Sequence, residues 1–232
     1  MKFEIFADAE ATALEAARFI AAQARDAVAV RGGFTMALSG GSSPLGMLRA
    51  LADQDVPWAD VDLLQVDERV APAGDAERNL TQLHENLVAR VPLEPARVHA
   101  MPVESHDLER AAARYAETIA TVAGAPPVLD LVHLGLGGDG HTASLVPGDP
   151  VLDVSEAEVA VTAPYLGRRR MTLTYRLLDR ARQVLWLVTG DGKAAMLARL
   201  RAGDRTIPAG RVGAERSVVF ADRAAAAQLN EF

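Results

Sequence analysis

Apolar and polar positions along the chain alternate between two rhythms. Short apolar or alternating runs of strand length fall at Lys2–Phe6, Phe34–Leu38, Val61–Val66, Val98–Met101, Leu129–Leu134, Ala157–Ala163, Arg170–Leu173, Gln183–Val188 and Ser217–Phe220. Between them lie stretches that fit helices. An Ala-rich one starts after Asp8 and reaches about Val30, and a second runs from Pro44 to about Ala52. Others cover Asn79–Arg90, Asp107–Val122, the residues from Lys193 to about Leu200, and Asp222–Leu229. Asp8 and Ser43 stand where N-caps belong, Pro44 suits a first helical turn, and Gly32-Gly33 ends the first helix. Strands alternating with helices predict a doubly wound, mostly parallel α/β sheet flanked by helices, in one domain spanning residues 1–232. In such sheets the C-terminal strand ends share one edge, and ligands bind there. Four strands run into polar, glycine-bearing or charged loops, at 39–43, 67–69, 135–141 and 189–193. One such loop means little; four on one edge make a site.

The 135–145 stretch, Gly-Leu-Gly-Gly-Asp-Gly-His-Thr-Ala-Ser-Leu, carries the most chemistry. The apolar segment Val128–Leu134 runs directly into it. Its glycines allow a tight turn and close approach of backbone N–H groups to a ligand. Asp139 and His141 are the only titratable side chains in the loop. A tight turn with a capping Asp and a surface His would use the same residues. Ser39-Gly40-Gly41-Ser42-Ser43 precedes a helix start, where N–H groups and the helix dipole favour an anion, although a plain capped turn also fits. It is not a Walker A loop, because the Lys after the second Gly is missing. The 135–140 glycines do not make a dinucleotide fingerprint either, since they lie far from the first β–α unit.

Composition narrows the function classes. Fifty per cent hydrophobic residues in 232 positions are enough for one large core. There is no run of about 18 apolar residues, so a membrane span is not expected. The N-terminus does not read as a secretory signal, and with no cysteine there is no disulfide framework or thiolate metal site. A cytoplasmic location follows as the expectation. A net charge of −7 opposes a general nucleic-acid role. A few converging cations can still hold a small anion. Arg69 ends the Asp67-Glu68-Arg69 segment, and Lys193, one of only two lysines, sits at a helix start against its local electrostatic preference. A surface ion pair at Arg69 and simple solvent exposure at Lys193 are the competing readings. His133 alternates within a buried strand and reads as a core residue. His84, His99 and His106 show no metal-ligand spacing.

Together, Ser39–Pro44, Asp67-Glu68-Arg69, Gly135–Leu145 with Pro147-Gly148, and Thr189-Gly190 with Lys193 resemble the 6-phosphogluconolactonases, over essentially the whole chain. The wider superfamily includes glucosamine-6-phosphate deaminases and sugar-sensing repressor domains. The resemblance implies hydrolysis of 6-phosphoglucono-1,5-lactone to 6-phosphogluconate, a reaction that needs no metal or organic cofactor; a monomer without nucleic-acid or membrane partners is the accompanying expectation. His141 is then the general base, with Asp139 orienting its ring or favouring its protonated form. Backbone N–H groups of the 137–140 segment, Gly137 and Gly138 among them, would face the developing oxyanion. The phosphate would sit on Arg69 and Lys193 with N–H groups of Gly40, Gly41 and Ser42. Arg170 is a further substrate contact, and Asp67 and Asn79 hold loops or sugar hydroxyls. Val146, Arg78 and Ser43 depart from common family residues at the margins of the site. A deaminase is the alternative, as is a non-catalytic sugar-phosphate sensor. Against the deaminase, Thr142–Pro147 lacks that family's ring-opening Glu. Against the sensor, no helix-turn-helix precedes the sheet.

Overall fold

The computed structural model describes residues 1–41 and 43–229. Its strands are β1 (Lys2–Phe6), β2 (Phe34–Leu38), β3 (Val61–Gln65), β4 (Asp67–Arg69), β5 (Val98–His99), β6 (Leu131–Leu134), β7 (Val159–Val161), β8 (Arg170–Leu173), β9 (Gln183–Val188) and β10 (Ser217–Asp222). Its α-helices are α1 (Ala9–Arg31), α2 (Leu45–Ala52), α3 (Asn79–Asn86), α4 (Leu108–Ala123), α5 (Tyr175–Leu178) and α6 (Ala194–Arg201).

Seven strands form one sheet in the order β1-β10-β9-β6-β2-β3-β5, and every pairing in it is parallel. Alternate residues of each strand serve opposite faces. Met36, Leu63, Leu185 and Phe220 pack with Ala16, Ile20 and Ala24 of α1 and Leu48 of α2. Ala37, Leu64, Trp186 and Val219 pack with Tyr115 and Ile119 of α4 and Leu197 of α6 on the other face. Both faces are thus covered, which is why the central strands read as continuous apolar runs. Chain order reverses between β2 and β6: β2, β3 and β5 step one way, while β6, β9, β10 and β1 lie the other way. A crevice opens at such a reversal.

Helix α1 follows its sequence signals. The Asp8 side chain accepts from the Ala11 N–H, and Gly32 ends the helix in the left-handed region with φ 77°. Four other expectations need correction. Asp67–Arg69 is not a strand-end loop of the parallel sheet but the edge of a second, antiparallel sheet ordered β4-β8-β7. Val66 is the joint, since its N–H donates to Leu38 of the parallel sheet and its carbonyl accepts from Leu173 of β8. Ser43 does not cap α2; Pro44 occupies the cap position, without a side-chain hydrogen bond. The segment 79–90 is not one helix, because it breaks at Leu87 into α3 and a short 3₁₀ turn. Finally, β10 extends to Asp222, and only Ala225–Gln228 coils beyond it, as a 3₁₀ turn. Asp222 is held in the strand end because its carboxylate accepts from the Gly190 and Ala225 N–H groups.

Candidate active site

The loops after β2 and β6 meet at the reversal point and border a cavity of about 240 Å³. Its walls include Gly40, Gly41, Asp67, Arg69, Asn79, Gly137, His141, Arg170 and Lys193. The fold therefore gathers nine sequence-derived candidates, drawn from six separate segments, around one space. Asp139 and Gly138 do not line it, and Ser42 lies outside the described residues.

Asp139 sits behind His141. Its Oδ1 is 2.6 Å from His141 Nδ1 and accepts the His141 backbone N–H at 3.1 Å. Its Oδ2 accepts the Tyr165 hydroxyl at 3.1 Å. Partial burial pushes the Asp139 carboxyl up, but the His141 N–H, the adjacent imidazole and the Tyr165 hydroxyl outweigh it and hold the group below the usual carboxylate range. An ionised Asp139 accepts the Nδ1 proton and leaves Nε2 as the ring atom with a free lone pair. The glycine before them is needed for steric reasons. A Cβ on Gly137 would lie 2.1 Å from His141 Nδ1.

Asp67 shows the opposite behaviour. It is buried, with Oδ2 accepting from Ser144 Oγ at 2.6 Å and Oδ1 from Asn79 Nδ2 at 3.2 Å. Burial pushes its carboxyl above the usual value, against the Ser144 hydrogen bond and the nearby Arg170 and Arg69, while the adjacent Glu68 carboxylate adds to the rise. Asp67 thus ties the β6 loop to α3. A Cβ on Gly40 would fall 2.4 Å from Asn79 Cγ, so glycine there lets Asn79 close against the loop.

Glu68, not singled out from sequence, is fully buried and does the capping that α3 lacks locally. Its carboxylate accepts the N–H groups of Asn79 and Leu80, each at 2.8 Å, and the Gln65 side-chain amide at 2.9 Å. Nothing near residue 79 in the sequence signals a cap supplied eleven positions upstream.

Arg69 and Arg170 are direct cross-strand partners in the antiparallel β4–β8 pair. Arg170 is buried, and its Nε has no hydrogen-bond partner among the described residues. Its guanidinium lies 4.9 Å from the centroid of the Tyr165 ring. Burial, assisted by Arg69, depresses its pKa against the pull of Asp67. The Arg69 guanidinium donates to the Glu77 carbonyl and, at 3.4 Å, to Asn79 Oδ1.

Two backbone expectations change. The Gly41 N–H is taken by Gln82 Oε1 at 2.7 Å. The N–H groups of Gly137 and Gly140 are used inside their own loop, on the His141 and Gly137 carbonyls. The expected oxyanion donors of this loop are therefore not presented to the cavity: Gly137 lines it with its N–H already used, and Gly138 does not line it. His133 is buried, as expected of a core residue, yet it also borders the cavity. Burial lowers its pKa to about 4, so the ring is neutral and its Nδ1 accepts the Ser39 N–H at 3.4 Å. Among the described residues no group of three or more His, Cys, Asp or Glu is placed to hold a metal ion, and no helix is long and apolar enough to cross a membrane.

A parallel α/β sheet with an Asp–His pair and cationic side chains at its reversal point defines an acid–base site suited to a small anionic molecule. Comparison with known proteins makes this specific. Residues 7–220 match the model of the glucosamine-6-phosphate isomerases/6-phosphogluconolactonase family, and the chain belongs to that family. It is 38% identical over 240 residues to the 6-phosphogluconolactonase of Streptomyces coelicolor, covering 96% of this chain and 92% of that one. The crystal structure of 6-phosphogluconolactonase from Thermotoga maritima superposes with a TM-score of 0.85 at 26% identity, over 95% of this chain and 98% of the other. A monomeric glucosamine-6-phosphate deaminase superposes equally well, at 0.85, but with 18% identity over 98% of this chain and all (100%) of that one. That last likeness shows the shared fold alone.

Proposed function

We propose that this protein hydrolyses 6-phosphoglucono-1,5-lactone to 6-phosphogluconate. The observation that carries the reading is the pairing of two chemistries across one cavity. His141, backed by Asp139, borders the same space as Arg69, Arg170 and Lys193. Like charges directly opposite in an antiparallel pair are unfavourable, so the Arg69–Arg170 juxtaposition is stabilised when a dianionic phosphate lies between them. Lys193 adds a third cation at the start of α6.

With the phosphate held there, His141 Nε2 takes a proton from water as the water oxygen bonds to the lactone carbonyl carbon. A tetrahedral oxyanion results. Collapse breaks the bond to the ring oxygen, which receives the proton back from His141. Asp139 keeps the ring in the tautomer that makes this possible and stabilises the imidazolium. Family membership and the lactonase relatives support the substrate. The Thr142–Pro147 segment contains no carboxylate to open an amino-sugar ring, which favours the lactone over the deaminase reaction. We place the protein in the cytoplasm as a monomer without nucleic-acid or membrane partners, on its net charge of −7 and its composition.

The test is a coupled assay with freshly generated lactone, corrected for spontaneous opening and repeated with a chelator. Hydrolysis that survives the chelator, with no ammonia released from glucosamine 6-phosphate, is the expected result. Ammonia release would establish the deaminase, and tight sugar-phosphate binding without turnover would establish a sensor.

A further inference from the structure

We propose that Tyr165 is a positioning residue that couples the acid–base pair to the anion-binding arginine, a role resting on the lactonase reading above. Tyr165 lies on the connection between β7 and β8, 26 residues along the chain from Asp139. Its hydroxyl donates to Asp139 Oδ2, the oxygen that His141 does not use. Its ring meets the His141 ring edge-on, with centroids 6.0 Å apart and planes at 63°. The Arg170 guanidinium stacks over the same ring. One side chain thus touches both members of the acid–base pair and one of the phosphate-facing cations.

The backbone around Tyr165 is built to hold it still. Tyr165 and Arg168 exchange both backbone hydrogen bonds, at 2.9 and 3.2 Å, around a two-residue turn. Leu166 and Gly167 both take positive φ, 51° and 80°, as a twisted hairpin of this length demands. Leu166 does so without glycine's freedom and with its side chain 81% exposed, so the turn is not kept for the packing of that side chain. Arg168 then anchors the tip to Asp75 and Glu77 on the segment leading to α3. Burial and the Asp139 charge raise the Tyr165 pKa, so the hydroxyl stays a donor.

The physical consequence is directional. Without the Tyr165 hydroxyl, the Asp139 carboxylate loses a donor and holds the Nδ1 proton of His141 more strongly. The imidazolium is then favoured, and the base form is reached only at higher pH. The other charged or titratable groups on the walls facing His141 are Asp67 and Arg69 of β4, Arg170 of β8, His133 of β6 and Lys193 before α6. All of them remain in Tyr165→Phe.

The experiment compares Tyr165→Phe and Tyr165→Ala with the parent protein by lactonase kinetics across pH and by NMR titration of the His141 ring. Tyr165→Phe should move the His141 ring titration and the acid limb of kcat/KM to higher pH, and lower kcat roughly three- to tenfold with KM unchanged. Tyr165→Ala should add a rise in KM of roughly three- to tenfold, because Arg170 loses its platform. A Phe variant with parent-like midpoint and kcat would overturn the proposal, as would one that merely melts earlier. If the parent protein shows no lactonase activity, the functional reading fails, while the imidazole titration still decides whether Tyr165 acts on His141.

Discussion

The two sheets of this protein contribute differently to one cavity. The parallel sheet delivers the acid–base loop after β6 and Lys193 after β9. The small antiparallel sheet delivers Asp67, Arg69 and Arg170, with Tyr165 on its connecting hairpin. In the proposed reaction the acid–base chemistry thus stands on the larger, doubly covered scaffold, and most of the anion binding on the smaller one. A rigid sheet fixes the base, while a ribbon joined through Val66 sets where the phosphate sits. The difference implies that substitutions of the His141 base and of the ribbon's arginines act on different kinetic constants.

The sharpest way to break that division is His141→Ala. It removes the base and should lower kcat by about 10²–10⁴, while affinity for 6-phosphogluconate stays close to that of the parent. A variant with near-parental turnover would move the base elsewhere. On the ribbon side, Arg69→Ala or Arg170→Ala each removes a charge-assisted contact of about 1.5–3 kcal/mol, or roughly 10–150-fold in kcat/KM. That loss should fall mainly on KM, and calorimetric binding of 6-phosphogluconate checks it independently. Equal losses in kcat would erase the distinction between the two sheets.

A stability measurement sharpens the comparison from the parallel side. The neutral His133 ring has a folded pKa near 4 against about 6.5 unfolded, so the unfolded chain binds the extra proton between those values. Stability from this group is therefore full above about pH 6.5 and lost as pH falls towards 4, by about 3 kcal/mol in all. Denaturant titrations should show His133→Leu losing less stability than the parent between pH 7 and 4.5. The smallest effect is expected at the ribbon's tip. Leu166→Asn relieves a left-handed φ at an exposed position and should stabilise by about 1 kcal/mol or less, read as a rise in Tm of a few degrees.

The fold was legible because its elements are long, periodic and well punctuated. Asp8 and Gly32 bracket α1, and the apolar runs of β2, β6 and β9 match their burial on both faces. The loop proposed to be catalytic was legible for a related reason, since Asp139 and His141 are two residues apart and their geometry is local. Local signals failed where the partner was distant in sequence. Asp67–Arg69 looked like a strand end because its pairing partner, β8, lies about a hundred residues later. The broken helix at Leu87 and the cap supplied by Glu68 have no signal in their own neighbourhoods. The glycine N–H groups expected to face the ligand are partly consumed by Gln82 and by the loop's own carbonyls, which spacing alone does not reveal.

Sequence by itself thus determined the strand–helix order, the acidic and cysteine-free surface chemistry, and the residue types that a lactonase site requires. These depend on period, propensity and short-range capping, which a linear chain encodes within a few residues. Tertiary structure alone decided that Arg69 faces Arg170, that Tyr165 reaches Asp139, and that His133 borders the cavity while staying neutral. Those outcomes depend on which strand pairs with which and on how much water each pairing excludes. Both are properties of the closed three-dimensional arrangement, because charge and hydrogen-bond energies scale with distance and local dielectric, not with separation along the chain.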